Sequence, residues 1–316
     1  MAITTTSTLP PAVQQSFSYK LLSVPVPSMI HKIPAVKKTM PASGGDTLRM
    51  RRYNPLATAT VPLGNTGVTP PAQQLTAINI DAKISYYGTY LIINEQVALT
   101  SQDPVLNEAA ARLGVSLRQT EDELTRDMLA STASFIDCTG GVNGDSPTEI
   151  TRSDVDTAVA TLVNANAAMI ADYIEGENKF GSSPVRDAYF ALASSKLIGD
   201  LDGVQGFISK AQYPAPINAL RSEWGSIGNL RFLVSSIGST TPTSSGVNHA
   251  DIYNVFCVGM EAYAVVEQDR YSARFIYRPP IYDGPLALNA SVGYKFAECP
   301  RILNDAWVLN LRCTKA

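Results

Sequence analysis

The chain has 316 residues, of which 45% are hydrophobic and 17% charged, and its formal net charge is −3. This length allows one large domain or two smaller ones, no apolar run approaches the ~20 residues that a membrane-spanning helix needs, and the Thr-rich, uncharged N-terminus is unlike a signal peptide. The four cysteines form no Cys-x-x-Cys pair, which argues against a zinc knuckle or a disulfide framework.

Residues 1–45 are predicted to form an extended N-terminal arm. Prolines are too frequent there for a helix, yet the segment contains large apolar side chains that a disordered linker would lack. An extended segment this apolar must be buried, either on its own body or on a neighbouring copy. We therefore expect four of its side chains at a subunit interface, namely Phe17, Tyr19, Leu21 and Leu22.

Positive charge is concentrated at the front of the chain. The first 80 residues contain seven basic residues and one acidic residue, whereas the remainder contains 18 basic and 27 acidic residues. A basic front on an acidic body can pair with another copy, or can lie on nucleic acid without reading its sequence. The alternative is a solvated arm that has no electrostatic partner.

Residues 46–93 are predicted to form a long extended β-hairpin. Apolar and polar residues alternate at 47–52 and again at 75–93, and the stretch between them is rich in Pro, Gly, Thr and Ala. A two-stranded ribbon is marginally stable alone, so we expect it to lie on an adjacent subunit. Alternation puts Arg49 and Arg51 on one face and Arg52 on the other. These arginines form intersubunit ion pairs or a solvated strand edge.

A long helix is predicted at 104–136. Asp103 is a good N-cap, Pro104 suits the first helical position, and apolar residues then recur at spacings of three, four and seven. The polar face contains the acidic residues Glu121, Asp122, Glu123 and Asp127. The first three splay by about 100° each and should not converge on a metal. They form a solvated face, or an intersubunit strip opposite the three arginines.

The remaining elements alternate between helix and strand signals. Thr151 and Asp154 resemble a capping box that begins a helix extending to about Ala168. Ser183-Pro184 is predicted to open another helix, containing Tyr189 and Phe190. Strand patterns follow at Leu230–Ile237, Ile252–Val258, Ala273–Tyr277, Leu286–Phe296 and Ala306–Cys313. The predicted fold class is α+β.

No motif for catalysis or for cofactor binding is present in the sequence. A P-loop and a Gly-x-Ser-x-Gly elbow are both missing. The two histidines, His31 and His249, have no Cys or carboxylate at ligand spacing, and each is expected to be solvated or at the edge of a core. The sequence therefore predicts no catalytic, cofactor or metal site. A hydrolase with a nonstandard site remains the alternative from another functional class, and a phage tail or adhesion module is a third.

Several long stretches resemble the N-four-type major capsid proteins of tailed bacteriophages. They include QQSFSYKLLSVPVP at 14–27, LRMRRYNPLATATVPLG at 48–64, DPVLNEAAARLG at 103–114, LRQTEDELTRDMLA at 117–130, LRSEWGSIGNLRFL at 220–233 and RPPIYDGPLALNASVGYKFAE at 278–298. The resemblance implies the Hong Kong 97-type capsid fold, and it assigns the parts in chain order. These are an N-terminal arm at 1–45, an extended loop at 46–93, a peripheral domain at 94–149 with a spine helix at 104–136, an axial domain at 150–285, and strands that return to the peripheral domain at 286–316.

The same resemblance implies a function in the virion. Copies of the chain would assemble in the host cytoplasm, as hexamers and pentamers, into an icosahedral shell around double-stranded DNA. Partners would include portal, scaffold and cement proteins, with non-specific DNA contact and no membrane or cofactor. The loop tip at 54–74 contains no lysine, which argues against the Lys–Asn cross-link that some proteins of this fold form. An encapsulin-like compartment is the alternative within the fold.

Overall fold

The protein is described by a computed structural model that covers most of the chain. The described residues are 26–41, 44–60, 72–94, 96, 105–132, 134–170, 172–173, 180–181, 187–213, 219–242, 251–269, 273–279 and 288–316. The predicted interface residues Phe17, Tyr19, Leu21 and Leu22 lie outside this range. The mixed α+β class is confirmed.

Three α-helices and seventeen strands make up the regular structure of the described residues. The helices are α1 (Val105–Ala130), α2 (Arg152–Asn164) and α3 (Ile198–Gly203). The strands are β1 (Val36–Met40), β2 (Thr47–Tyr53), β3 (Ala77–Lys83), β4 (Ser85–Asn94), β5 (Phe135–Asp137), β6 (Asp172–Tyr173), β7 (Phe180–Gly181), β8 (Tyr189–Ser194), β9 (Phe207–Ser209), β10 (Glu223–Ile227), β11 (Leu230–Ser235), β12 (Thr240–Thr241), β13 (Ile252–Val258), β14 (Tyr263–Gln268), β15 (Arg274–Arg278), β16 (Asn289–Ile302) and β17 (Val308–Cys313).

A five-stranded sheet is built around the long strand β16. One side of β16 pairs with β4, the other side pairs with β15 and then β14, and β1 adds in parallel to β14. Alternate residues of β16 face α1, so that Tyr294 and Phe296 form a core with Leu113 and Leu117 of the helix. Burying each such side chain stabilises the fold by about 1.5–3 kcal/mol.

An eight-stranded sheet forms the second layer, in the order β5-β17-β13-β8-β11-β10-β9, with β12 attached to β13. Its central strand β8 corrects the helix predicted to follow Ser183-Pro184. Tyr189 packs into one core cluster and Phe190 into the other, so both faces of the strand are buried. A short apolar run with two buried faces has no period that separates strand from helix.

The predicted hairpin is confirmed over β2 and β3, which pair antiparallel with Arg49 opposite Asp81. Its predicted end at residue 93 is wrong, because β4 leaves the ribbon and pairs with β16 instead. Ile84 is the single residue between the end of β3 and the start of β4, and its buried side chain packs with Met40 and Val266. That contact fixes the point at which the chain passes from the ribbon to the sheet.

The long helix is confirmed, but its predicted end at residue 136 is wrong. Among the described residues α1 runs from Val105 to Ala130, and the amide of Ser131 donates back to the carbonyls of Asp127 and Met128. Phe135, which matched the helical spacing, belongs to β5, where the guanidinium of Arg312 lies 3.7 Å from the centre of its ring. Pairing of β5 with β17 therefore overrides the helical pattern.

The later elements agree with the sequence patterns in type. The capping box of Thr151 and Asp154 is present, although α2 ends at Asn164 rather than near Ala168. Strands β11, β13, β15, β16 and β17 fall on the five predicted strand patterns. Strand β16 packs against α1, whereas β17 pairs with β13 in the eight-stranded sheet. The division into peripheral and axial domains remains a prediction.

Candidate assembly surfaces

The ribbon formed by β2 and β3 is anchored at its base and exposed farther out. Leu48 and Met50 pack on the face of the five-stranded sheet that is opposite α1. Beyond Tyr53, the segment that follows β2 and the segment that precedes β3 stay joined, because the side-chain amide of Gln73 donates to the carbonyl of Ala57 across 2.9 Å. Leu56 and Leu75 lie on these two outer segments and are 56% and 60% exposed. Apolar side chains held in water on a projecting ribbon indicate a surface that binds something.

The three arginines of the ribbon make different contacts within the chain. Arg49 donates two hydrogen bonds to Asp81, of 2.7 and 2.9 Å, and this pairing lowers the pKa of the carboxyl group. Arg51 donates to the side chain of Asn79 across 3.0 Å on the same face. Arg52 lies on the opposite face, as predicted, and donates to the carbonyl of Leu303. All three remain predicted contacts to a neighbouring copy.

Asp122 corrects the acidic strip predicted for α1. Its side chain is fully buried, and it accepts from the backbone amide of His31 at 2.8 Å while lying 2.7 Å from Nδ1 of that histidine. A carboxylate that is enclosed in this way is inaccessible to a neighbouring copy, so its assignment to a subunit interface is wrong. His31 is likewise fully buried, with its ring in an edge contact with Phe256, so of the two expected alternatives the solvated one is wrong.

The other acidic residues of α1 point in separate directions. Glu121 lies 3.2 Å from Nζ of Lys32, Glu123 accepts a hydrogen bond from Gln119, and Asp127 pairs with the adjacent Arg126. Among the described residues, neither these three carboxylates nor that of Asp122 contacts an arginine of the ribbon. Glu123 and the exposed Asp127 stay predicted interface residues, whereas Glu121 faces the interior.

A cluster that the sequence analysis missed surrounds Lys32. Its ammonium lies within 3.2 Å of three carboxylates, those of Glu121, Glu267 and Glu298. One signal could have revealed it: Glu298 continues the alternation of Tyr294 and Phe296, so a charged residue occupies a position that faces the core. Such a residue needs a buried partner of opposite charge.

A second apolar surface lies on the sheet face that α1 leaves uncovered. Tyr86, Tyr90 and Ile92 of β4 lie on this face, and each is more than 60% exposed. Beside them, Gly88 and Gly293 form the floor of a shallow cavity of about 350 Å³ that Ile276 and Arg278 also line. Strand β4 contains no acidic or basic residue, although a long edge strand in water usually carries charge to prevent association.

The described part of the chain contains no candidate metal cluster and no candidate membrane-spanning helix. No group of three His, Cys, Asp or Glu side chains is arranged there to hold a metal ion. None of its helices combines the length and the apolar character needed to cross a membrane.

Comparison with known proteins identifies the fold. No protein-family model matches the chain, and no curated protein sequence matches it. The capsid of Ralstonia phage GP4 superposes with a TM-score of 0.70 at 14% identity, over 100% of this chain and 99% of the other. The head structure of Helicobacter pylori bacteriophage KHP40 gives 0.69 at 11% identity, over 97% and 96%. The Cyanophage Pam1 capsid gives 0.67 at 14% identity, over 96% and 97%.

The chain has the Hong Kong 97-type fold of phage capsids. The assignment of α1 as the spine helix, and of the ribbon of β2 and β3 as the extended loop, remains a prediction of the sequence resemblance. The N-four-type assignment remains a prediction, because identities of 11–14% relate the folds alone.

Proposed function

We propose that the chain is the major capsid protein of a tailed bacteriophage, a structural shell subunit and not an enzyme. The observation that carries the proposal is the combination of a capsid fold along the whole chain with an apolar ribbon that projects from it. The outer part of this ribbon, beyond its packed base, buries its apolar side chains only when a neighbouring molecule covers it. A shell supplies such a neighbour at every position.

Assembly would follow from many modest contacts repeated around closed symmetry. Each copy offers the outer ribbon with Leu56 and Leu75, and the uncovered sheet face with Tyr90 and Ile92. Burial of apolar surface contributes about 25 cal/mol per Å², whereas an exposed ion pair contributes about 0–1 kcal/mol. Apolar contacts therefore supply most of the binding energy, and the charged residues of the ribbon supply register.

The proposed function also implies binding partners and a site of assembly. Copies would form hexamers and pentamers in the host cytoplasm and would meet portal, scaffold and cement proteins in the virion. The seven basic residues among the first 80 would favour non-specific contact with packaged DNA, which weakens as salt rises.

Removal of residues 1–25 tests the predicted role of the arm. The shortened chain should fold as the full chain does and should fail to form closed particles. The deletion stops at residue 25 because Ile30 is fully buried and the carbonyl of Ser28 accepts a hydrogen bond from Ser235. Circular dichroism reports the fold, and light scattering with negative-stain microscopy reports assembly.

The outcomes of this experiment separate the proposal from its rivals. DNA-filled particles from infected cells support a viral shell, and particles that enclose a cargo enzyme support a compartment instead. Normal particles from the shortened chain would contradict the role of the arm. A full chain that remains a small oligomer and hydrolyses a substrate would contradict the shell itself.

A charge exchange tests whether Arg49 contacts a neighbouring copy. Arg49→Asp places two carboxylates opposite each other, while Arg49→Asp with Asp81→Arg restores the pair within the ribbon. We expect particle yield to fall in both variants, since the exchange reverses the charge presented outward. Each exposed pair is worth about 0.2–1 kcal/mol, and because salt screens exposed charges, the loss relative to wild type should shrink as the salt concentration rises. Full recovery in the exchanged variant would show that Arg49 serves the ribbon alone.

A further inference from the structure

The described five-stranded sheet has three edge strands, and one of them is uncharged. Among the described strands β1, β15 and β4 each pair on one side alone. Strand β1 carries Lys37 and Lys38, and β15 carries Arg274 and Arg278. The ten residues of β4 include no acidic or basic side chain. Because charge on an edge strand deters pairing with another chain, β4 is the edge that is left able to pair.

Exposure along β4 also indicates that a neighbour is missing. Tyr90 and Ile92 are exposed on the sheet face away from α1. Leu91 is exposed on the other face, since it pairs with Val292, which packs toward the helix. A further strand beside β4 would cover apolar side chains on both faces and would pair the backbone groups of the open edge.

A second copy of β4 fits this edge, because the strand can pair with itself. In an antiparallel pair across a two-fold axis, both strands present the same residues, and residues at the axis lie opposite their own copies. Strand β15 is unsuited to this arrangement, since centring it on Ile276 would set Arg274 opposite Arg278 and like charges destabilise a strand pair. The same operation on β4 brings no charges together. It also consumes both open edges at once, as a closed two-fold contact does.

We propose that β4 strands of two copies pair antiparallel across a two-fold axis centred on Thr89, and so join two five-stranded sheets into one. In this register Thr89 lies beside Thr89 of the second copy. Tyr87 lies opposite Leu91 on the same face, and Tyr90 lies opposite Gly88 on the other face. The pairing rests on the proposed shell function only in requiring that copies of the chain meet.

The neighbours that this register creates across the axis are favourable ones. A pair of threonines and a pair of an aromatic with an aliphatic side chain each stabilise antiparallel strands. The ring of Tyr90 would cover Gly88, and an aromatic side chain opposite an edge glycine fixes strand register. The chain already uses this pairing on the other side of β4, where Tyr90 faces Gly293 of β16. Centring the pair on Gly88 would instead place two glycines at the axis, where neither has a side chain to pack.

Cysteine cross-linking tests the contact on the full chain. Thr89 is exposed, and Thr89→Cys places the thiols of two copies side by side, where a short bismaleimide should join them into a covalent dimer. Leu91→Cys is the matched control, because Leu91 is exposed on the same strand and face but would lie about 14 Å from its own copy. We expect about 10-fold more dimer from Thr89→Cys, since a linker that cannot span two sites does not join them. The wild type sets the background from the native cysteines.

A mixing experiment tests whether Thr89 faces its own copy. Thr89→Asp should lower the yield of particles, because two carboxylates then lie opposite each other at the axis, and Thr89→Lys should lower it by setting two ammonium groups there. An equimolar mixture of the two variants should recover particles, since the aspartate of one copy then faces the lysine of another. Each variant controls for the other, because the position is the same and the charge is opposite.

The outcomes separate this pairing from the shell function. Particles that form without a cross-link at residue 89, more dimer from Leu91→Cys than from Thr89→Cys, or a mixture that yields no more particles than its separate variants would each overturn the pairing and leave the shell untouched. Dimers cross-linked at residue 89 without any particle would support the pairing and contradict the shell. If the variants misfold, hydrogen exchange of the wild type decides: peptides covering residues 85–94 should exchange more slowly in particles than in dissociated chains, and equal rates would overturn the pairing.

Discussion

Changing Leu56 and Leu75 together to aspartate should abolish assembly while leaving the fold of the chain unchanged. Both side chains are more than half exposed on the outer part of the ribbon, so the fold loses almost no buried surface. A neighbour that covers each leucine gains about 1.5–3 kcal/mol, and an aspartate would instead bring an unpaired charge into the contact. Because every copy carries the change, the loss is repeated at every contact of the shell.

Thr58→Asp with Gln74→Asp is the matched control for this variant. Thr58 and Gln74 lie on the same two outer segments of the ribbon and are exposed. The control therefore adds the same charge without removing an apolar side chain. We expect the control to assemble and the leucine variant to sediment as a small species with an unaltered circular dichroism spectrum. Normal particles from the leucine variant would show that the outer ribbon is not an assembly surface.

The elements predicted best from the sequence are those whose type is determined by the spacing of apolar residues within the element itself. Helix α1 and ribbon β2–β3 follow from periodicities of 3.6 and 2, which need no knowledge of the rest of the chain. Strand β8 was mistaken for a helix because its burial on both faces depends on packing against two separate clusters. Strand β4 was placed in the hairpin because alternation shows that a strand exists and does not show its partner.

The polar contacts of the core were the hardest part to predict. Asp122 meets His31 across 91 residues of sequence, and Lys32 meets Glu298 across 266. A carboxylate on the polar face of a predicted helix looks solvated until the fold brings an earlier segment over it. Only Glu298 gave a local signal, because its position in the alternation of β16 faces the core.

Glu223→Ala should lower the free energy of unfolding by about 3–5 kcal/mol, the cost of removing one partner from a buried ion pair. Glu223 and Arg231 are both fully buried and are joined by two hydrogen bonds, of 2.8 and 2.6 Å. Arg231 also lies over the ring of Phe190. Without Glu223 the guanidinium stays charged in the core, because an arginine does not lose its proton there.

Arg231→Met should cost less than Glu223→Ala, and this order is the sharper test. After loss of the arginine, Glu223 keeps two donors, the hydroxyl of Tyr213 at 2.8 Å and the amide of Leu220 at 3.0 Å. Methionine moreover preserves most of the apolar volume of the arginine stem.

Chemical denaturation measures both changes, and the non-assembling leucine variant is a suitable background because its unfolding is not coupled to disassembly. Asp156→Ala is the control, since Asp156 forms an exposed pair with Arg152 one helical turn away and should cost no more than about 1 kcal/mol. If Glu223→Ala costs no more than this control, or less than Arg231→Met, then the buried pair does not stabilise the eight-stranded sheet in the way that its geometry indicates.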